Sequence, residues 1–101
     1  MSKVMVRYKV KPESASENER LIGAVYEELE RAVPAGFRYA TFRLDDGVSF
    51  VHIASTETDG ADSPLREVKA FQEFQRGVAE RCAEPPVVSE LHEVGSFRFW
   101  Q

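Results

Sequence analysis

Residues 37–55, with the sequence FRYATFRLDDGVSFVHIAS, decide the fold because they contain two strand-like runs on either side of a turn. Both runs are rich in β-branched and aromatic residues, which predicts strands over residues 37–44 and 48–55. Asp45-Asp46-Gly47 lies between them, and Asp-Gly accepts the positive φ angles of a tight turn at little cost. The stretch therefore predicts a β-hairpin.

The chain before the hairpin predicts one strand and one helix. From Val4 to Val10, every second residue is apolar or aromatic, a period of two that is typical of a strand. Over residues 21–33, apolar residues recur at spacings of three and four with charged residues between them, which predicts an amphipathic helix. Pro34 is expected to end that helix.

The chain after the hairpin predicts a polar loop over residues 56–63, a second helix and a fourth strand. Pro64 suits the first position of a helix whose apolar stripe runs to Cys82, and Pro85-Pro86 is expected to end it. The stripe consists of Leu65, Val68, Phe71, Phe74, Val78 and Cys82. Residues 87–94 then predict the fourth strand, and Gly95 predicts a bend before an extended segment over 96–100.

The predicted order of elements is β-α-β-β-α-β, which indicates an α+β protein with a split β-α-β arrangement. Right-handed crossovers place both helices on one face of a four-stranded antiparallel sheet, in one domain over residues 1–101. The first and third strands are expected at the centre, and both carry apolar residues on their two faces. Because the helices cover only one face of the sheet, the apolar residues on the other face predict that a second copy of the chain packs there, in a homodimer.

The composition argues against several classes of partner. The chain of 101 residues has 13 Lys and Arg and 17 Asp and Glu, and its basic residues are dispersed, so neither nucleic acid nor a membrane surface is expected to bind. Its short apolar runs predict no membrane span, and Arg7 interrupts any signal-like N-terminus. With Cys82 as its single cysteine, the sequence predicts a cytoplasmic protein.

Three features resemble the dimeric α/β-barrel superfamily, and in particular its antibiotic-biosynthesis-monooxygenase-like group. They are the strand FVHIAS over 50–55 with its acidic loop, the SPL helix start at 63–65 with AFQEF at 70–74, and the short C-terminal strand. The resemblance implies a ferredoxin-like fold, a dimeric barrel and oxidation of small aromatic compounds without a cofactor. The superfamily also contains haem-degrading enzymes with an Asn, Trp and His pocket, which Asn18 and Trp100 do not match in position.

His52 is the candidate catalytic residue, because a mid-strand imidazole can act as a general base near neutral pH. Tyr8, Tyr39, Phe50 and Phe74 are the candidate substrate-binding residues, since aromatic walls suit flat organic ligands. The alternative for His52 is a hydrogen-bonded histidine in the sheet or at a subunit interface. The alternative for Phe50 and Phe74 is the hydrophobic core.

His92 is a further candidate for substrate binding, because on the fourth strand it would share a cavity with His52 and Tyr8. Its alternative is a partly solvated position on an edge strand. No third or fourth ligand has the spacing of a metal site, so no metal is predicted. Cys82 is expected at a helix C-terminus, where the dipole opposes a reactive thiolate, which favours a structural role.

Two functional hypotheses follow. The first is a homodimeric barrel with a pocket for a small aromatic or apolar molecule, acting as a cofactor-free monooxygenase. The second is a non-catalytic, ligand-binding or stress-related dimer. In either case the aromatic segment 97–100 is expected to pair with the partner subunit or to pack on it, and the alternative is that the fourth strand continues through it within its own sheet.

Overall fold

The computed structural model describes residues 2–57 and 63–99. Four strands, β1 to β4, and three helices, α1 to α3, follow one another along the chain. In chain order they are β1 (Ser2–Val10), α1 (Ala15–Ala32), β2 (Phe37–Arg43), β3 (Ser49–Thr56), α2 (Lys69–Arg76), α3 (Val78–Arg81) and β4 (Cys82–Glu90). Short 3₁₀ turns precede α1 over Pro12–Ser14 and α2 over Pro64–Glu67. No helix among these residues is long and apolar enough to cross a membrane.

The strands form one antiparallel sheet in the order β2-β3-β1-β4. The first and third strands are central, so the predicted fold class is confirmed. The predicted hairpin is also present, and the Asp46 carboxylate holds its turn by accepting hydrogen bonds from the backbone N–H groups of Val48 and Ser49 and from the Ser49 hydroxyl. These hydrogen bonds, with that from the Ser49 side chain the strongest, lower the pKa of Asp46 to about 2.

The second helical region is divided, where the sequence predicts one continuous helix. Val68 is extended, with φ −83° and ψ 113°, and separates the 3₁₀ turn from α2. A second break occurs at Gly77, between α2 and α3. A Cβ atom at Gly77 would lie 2.9 Å from Nη1 of Arg81, so the glycine leaves room for that guanidinium.

The fourth strand begins at Cys82, five residues before the predicted 87–94, and ends at Glu90. The prediction that Pro85-Pro86 ends a helix is wrong, because both prolines lie within this strand. An edge strand tolerates residues without an N–H, and the pairing with β1 is irregular between Arg7 and Lys9. Cys82 is both the C-cap of α3, which confirms its predicted position at a helix C-terminus, and the first residue of this strand.

The two faces of the sheet differ in what covers them. On the helix face, Tyr8 and Phe50 are buried with residues of the helical segments such as Val25 and Phe74. The core consists of Tyr8, Val10, Val25, Phe50, Leu65, Val68 and Phe74. The register places a second apolar set on the opposite, outer face: Met5, Phe42, Val51, Ile53 and Val87. Phe42 is 50% exposed and Val87 63%, so the outer face is uncovered in the chain.

The segment after β4 carries large exposed apolar side chains. Val94, Phe97 and Phe99 are all exposed, and residues 91–99 form no strand in the chain. Trp100 lies outside the described residues. Pairing of this segment with a partner subunit stays a prediction.

Candidate functional site

A cavity of about 600 Å³ lies between the helix face of the sheet and the helical segment after residue 63. Its surface is mostly apolar, although about half of the lining residues also carry a polar group. The described lining residues are Ser2, Val4, Val6, Tyr8, Tyr39, His52, Ala54, Thr56, Ser63, Leu65, Arg66, Phe71, Phe74, Gln75, Val78, Pro86 and Val88. An apolar concavity with a few convergent polar groups is typical of a small-molecule site.

His52 is the polar centre of the cavity wall and is 6% exposed. Its Nε2 atom lies 2.8 Å from the Tyr8 hydroxyl, and its Nδ1 atom lies 2.7 Å from the Tyr39 hydroxyl. Thr41, directly opposite on β2, places its hydroxyl 3.1 Å from the same Nδ1. The adjacent strands β2, β3 and β1 thus bring the polar groups together, because alternate residues of each strand share the helix face.

A buried hydrogen-bond network continues behind Tyr8. Nδ2 of Asn18 on α1 donates to the Tyr8 hydroxyl at 2.9 Å, and Nε of Arg81 on α3 donates to Oδ1 of Asn18 at 3.0 Å. Nη2 of Arg81 also donates to the Phe74 carbonyl at 2.8 Å, and its guanidinium carbon lies 5.0 Å from the centre of the Phe74 ring. Asn18 is fully buried and Arg81 is 9% exposed.

Arg81 fixes the orientation of the Asn18 amide. A guanidinium donates and never accepts, so Asn18 turns Oδ1 toward Arg81 and Nδ2 toward Tyr8. The Tyr8 oxygen accepts this hydrogen bond from Asn18 and is also hydrogen-bonded to Nε2 of His52.

Burial keeps the titratable groups of the site neutral at physiological pH. Desolvation lowers the pKa of His52 to about 4 and raises the pKa of Tyr8 to about 12. The hydrogen bond from Asn18 and the charge of Arg81 oppose the increase at Tyr8. Desolvation also raises the pKa of Tyr39.

The folded protein is expected to lose stability as the pH falls from 6.5 to 4, in part through His52. In this window the unfolded chain protonates this imidazole and the folded chain does not, so unfolding takes up a proton. The expected contribution is about 2–3 kcal/mol at pH 4. Thermal unfolding of His52→Gln should show a shallower pH dependence than the parent chain, while the exposed His92→Gln should not. Equal slopes for all three proteins would contradict the buried, neutral imidazole.

Four of the predicted site residues meet at the cavity: Tyr8, Tyr39, His52 and Phe74. Phe50 is 1% exposed, stacks against Tyr8 with ring centres 5.7 Å apart, and belongs to the core rather than to the described lining. Placing His92 in the same cavity is wrong, because β4 ends at Glu90 and His92 lies exposed in a different hollow, beside Lys3. Among residues 2–57 and 63–99, no group of three His, Cys, Asp or Glu side chains is placed to hold a metal ion.

The sequence analysis did not predict Asn18 and Arg81, whose hydrogen bonds support the Tyr8 hydroxyl on the side away from His52. They lie 63 residues apart, and neither belongs to a motif. Thr41 was also missed, and the Tyr26 hydroxyl lies 2.8 Å from its oxygen. A polar residue inside the apolar face of a predicted helix was the available signal for Asn18.

The fold is shared with solved structures whose sequences differ strongly from this chain. An antibiotic biosynthesis monooxygenase is 20% identical, with a TM-score of 0.74 over 94% of this chain and 100% of the other. A variant of SnoaB, a cofactor-independent oxygenase from Streptomyces nogalater, is 18% identical, with a TM-score of 0.67 over 96% of both chains. A protein of unknown function from Nitrosomonas europaea is 9% identical, with a TM-score of 0.73 over 95% and 91%.

These likenesses confirm the predicted resemblance at the level of the fold. The chain has the ferredoxin-like fold of the antibiotic-biosynthesis-monooxygenase-like proteins. No protein-family model and no curated protein matches it. One fold supports many activities, so the function has to be argued from the cavity itself.

Proposed function

We propose that the protein binds a small, electron-rich aromatic compound in its cavity and oxidises it with molecular oxygen, without a cofactor. The observation that carries the proposal is the aromatic-walled cavity of about 600 Å³ with the Tyr39–His52–Tyr8 cluster on its wall. Phe71 and Phe74 offer faces for a flat ring, and the cluster offers polar contacts for a ring oxygen. The cofactor-independent oxygenase with the same fold supports the choice of reaction.

The proposed reaction needs no external reductant. A phenol with a free para position, such as 1-naphthol, combines with one O₂ to give the para-quinone and one water. The para C–H bond, the phenolic O–H bond and the O=O bond break, the phenolic C–O becomes C=O, one oxygen atom of O₂ forms a second C=O at the para carbon, and both hydrogens leave with the other oxygen atom as water. The phenol supplies all of the electrons that reduce this atom to water.

His52 supports this reaction through Tyr39. Both of its ring nitrogens are hydrogen-bonded to protein hydroxyls, and the bond at Nδ1 holds the Tyr39 oxygen at the cavity wall. We therefore propose a positioning role for His52. The general-base role that its position in the sequence suggests stays a prediction.

Non-catalytic binding is the second candidate, and the state of His52 favours it. With a pKa of about 4 and both nitrogens engaged, the imidazole is a weak base in the ligand-free chain. A binding protein for a phenolic compound would use the same aromatic wall and the same hydroxyls without turnover.

Oxygen uptake with 1-naphthol and related naphthols distinguishes the two functions. We expect oxygen consumption that saturates with naphthol, together with quinone absorbance in equal amount. Tyr39→Phe should lower the rate at least about tenfold, in the range of a lost transition-state hydrogen bond. Arg76→Gln, an exposed change on α2, should keep the parent rate. Saturable naphthol binding with no oxygen consumption would reject the oxidation and leave the binding function.

We also propose that the outer face of the sheet is covered by a second copy of the chain, in a cytoplasmic homodimer. The apolar set Met5, Phe42, Val51, Ile53 and Val87 spans all four strands. In a two-fold dimer, the same sheet face of each copy packs on that of the other, so the apolar residues of both faces are removed from water. The free thiol of Cys82 supports a reducing compartment.

A further inference from the structure

The floor of the cavity changes from polar to apolar across the sheet. One row of paired residues crosses the helix face from β2 to β4, in the order Thr41, His52, Val6 and Val88. Thr41 and His52 are polar and hydrogen-bonded to each other, whereas Val6 and Val88 are aliphatic. With about 4.8 Å between neighbouring strands, the row places Val88 roughly 10 Å from His52. The apolar half of the floor therefore lies toward the edge of the sheet that β4 forms.

The polar end of this row is closed and its apolar end is open. His52 is 6% exposed, and its ring centre lies 5.5 Å from that of Phe74, which covers it from the helical side. Val88 is 66% exposed, and Pro86, which also lines the cavity from β4, is exposed as well. Apolar surface is unfavourable in water, and a polar group inside a protein needs a hydrogen-bonding partner. The cavity is therefore matched to a ligand that enters with its polar group first and leaves an apolar part at the opening.

The opening also has aliphatic surface on its helical side. The exposed residues of the described lining are Arg66 and Gln75 on the helical segment and Pro86 and Val88 on β4. Arg66 and Gln75 have aliphatic stems, which pack along apolar groups while their polar ends stay in water. An apolar chain that passes through the opening would thus contact aliphatic groups on both sides.

We propose that the ligand is a phenol that carries an alkyl or isoprenyl chain, with its ring oxygen at the His52 end of the cavity and its chain leaving over Val88. The phenol rests on the proposed function, whereas the chain rests on the polarity of the floor. A ring beside Phe74 and His52 alone would leave the aliphatic floor of a cavity of about 600 Å³ in contact with water. In a substrate of the proposed oxidation, the chain would occupy a ring position other than the para carbon, which has to be free.

Binding of a series of 4-alkylphenols, from 4-methylphenol to 4-hexylphenol, tests for the apolar chain. Their para carbon is blocked, so the proposed oxidation to a para-quinone does not consume them and calorimetry measures binding alone. We expect one molecule to bind per protein chain. The dissociation constant should fall about two- to fourfold with each added methylene, the range from partial to full burial of this group.

Val88→Ser assigns the chain of the ligand to the edge of the sheet, at an exposed position where the substitution should not disturb folding. It should weaken the binding of 4-hexylphenol at least about threefold, because it removes the apolar contact at the opening. It should leave the binding of 4-methylphenol unchanged, because so short a ligand held at His52 does not reach β4. Val33→Ser is the matched control, since Val33 follows α1, is 74% exposed and lies outside the described lining. This variant should bind the whole series as the parent chain does.

The outcomes separate this inference from the proposed oxidation. No saturable binding, or a dissociation constant that does not fall with chain length, would overturn the inference; the second result is expected if a segment of a second copy covers the helix face of β4. An equal loss for 4-methylphenol and 4-hexylphenol in Val88→Ser would overturn the orientation, and no loss would overturn the path of the chain. Chain-length dependence without oxygen consumption by naphthols would keep this inference and reject the oxidation, and naphthol turnover without chain-length dependence would do the reverse.

Discussion

Asn18→Leu is expected to lower the free energy of unfolding by about 3 kcal/mol, although leucine is similar in size to asparagine. The substitution removes the acceptor of Arg81 Nε and the donor to the Tyr8 hydroxyl, at a position with no exposure to water. The guanidinium would then stay buried with the Phe74 carbonyl as its remaining described hydrogen-bond acceptor. Urea unfolding at one fixed protein concentration measures the effect, since association also changes apparent stability.

The double variant Asn18→Leu/Arg81→Met separates the loss of a polar contact from the cost of an unpaired charge. An apolar replacement of both partners leaves no stranded donor, so the double variant should recover at least about half of the lost stability. Arg81→Met alone strands the Asn18 oxygen and should fall in between. A loss below about 0.5 kcal/mol in Asn18→Leu would show that the buried network contributes little to stability.

Val51→Asp is expected to raise the dissociation constant of the proposed homodimer more than about 100-fold. In the isolated chain Val51 is partly buried on the outer face, paired with Phe42 on β2 and with Arg7 on β1. A carboxylate there keeps much of its contact with water in a monomer, but a second sheet packed on this face would desolvate it. Even with Arg7 opposite it, removing this carboxylate from water in both copies should cost about 3 kcal/mol or more, which corresponds to the expected change in affinity.

Sedimentation velocity at micromolar concentration measures this change. The parent chain should sediment with about twice the chain mass and Val51→Asp as a folded monomer, with circular dichroism confirming the fold. Val33→Asp is the matched control, because Val33 follows α1 and is 74% exposed. A parent chain that is monomeric at this concentration, or a variant that dimerises as tightly as the parent, would contradict the covered outer face.

Local patterns predicted most of the fold. Alternation in β1 and the Asp-Gly turn between β2 and β3 are signals contained within a few residues, and the structure agrees with them. The fourth strand was misplaced because the same local reasoning treats Pro85-Pro86 as a helix stop. An edge position in a sheet is a property of the whole fold, and it is what permits those prolines in a strand.

The candidate site was predictable only in part, for a similar reason. The sequence predicted His52, Tyr8 and Tyr39 as site residues because periodicity locates their strands. Alternation along each strand then places the three side chains on one face of the sheet. Asn18 and Arg81 meet across 63 residues through the packing of α1 against the helical segment that ends in α3, and no local pattern encodes that approach. The prediction for His92 was wrong because it placed the histidine on a fourth strand over residues 87–94, whereas β4 ends at Glu90.

Pro85 and Pro86 in β4 also oppose aggregation through the exposed edge of the sheet. β4 is an edge strand, and an exposed edge offers backbone donors on which another chain can build a strand and start aggregation. Pro85 and Pro86 have no N–H groups, so over these two residues the edge cannot donate to an added strand. The irregular pairing beside them bends the same stretch away from a flat template. Backbone donors for an added strand therefore remain only in two short stretches on either side of the prolines, residues 82–84 and 87–90.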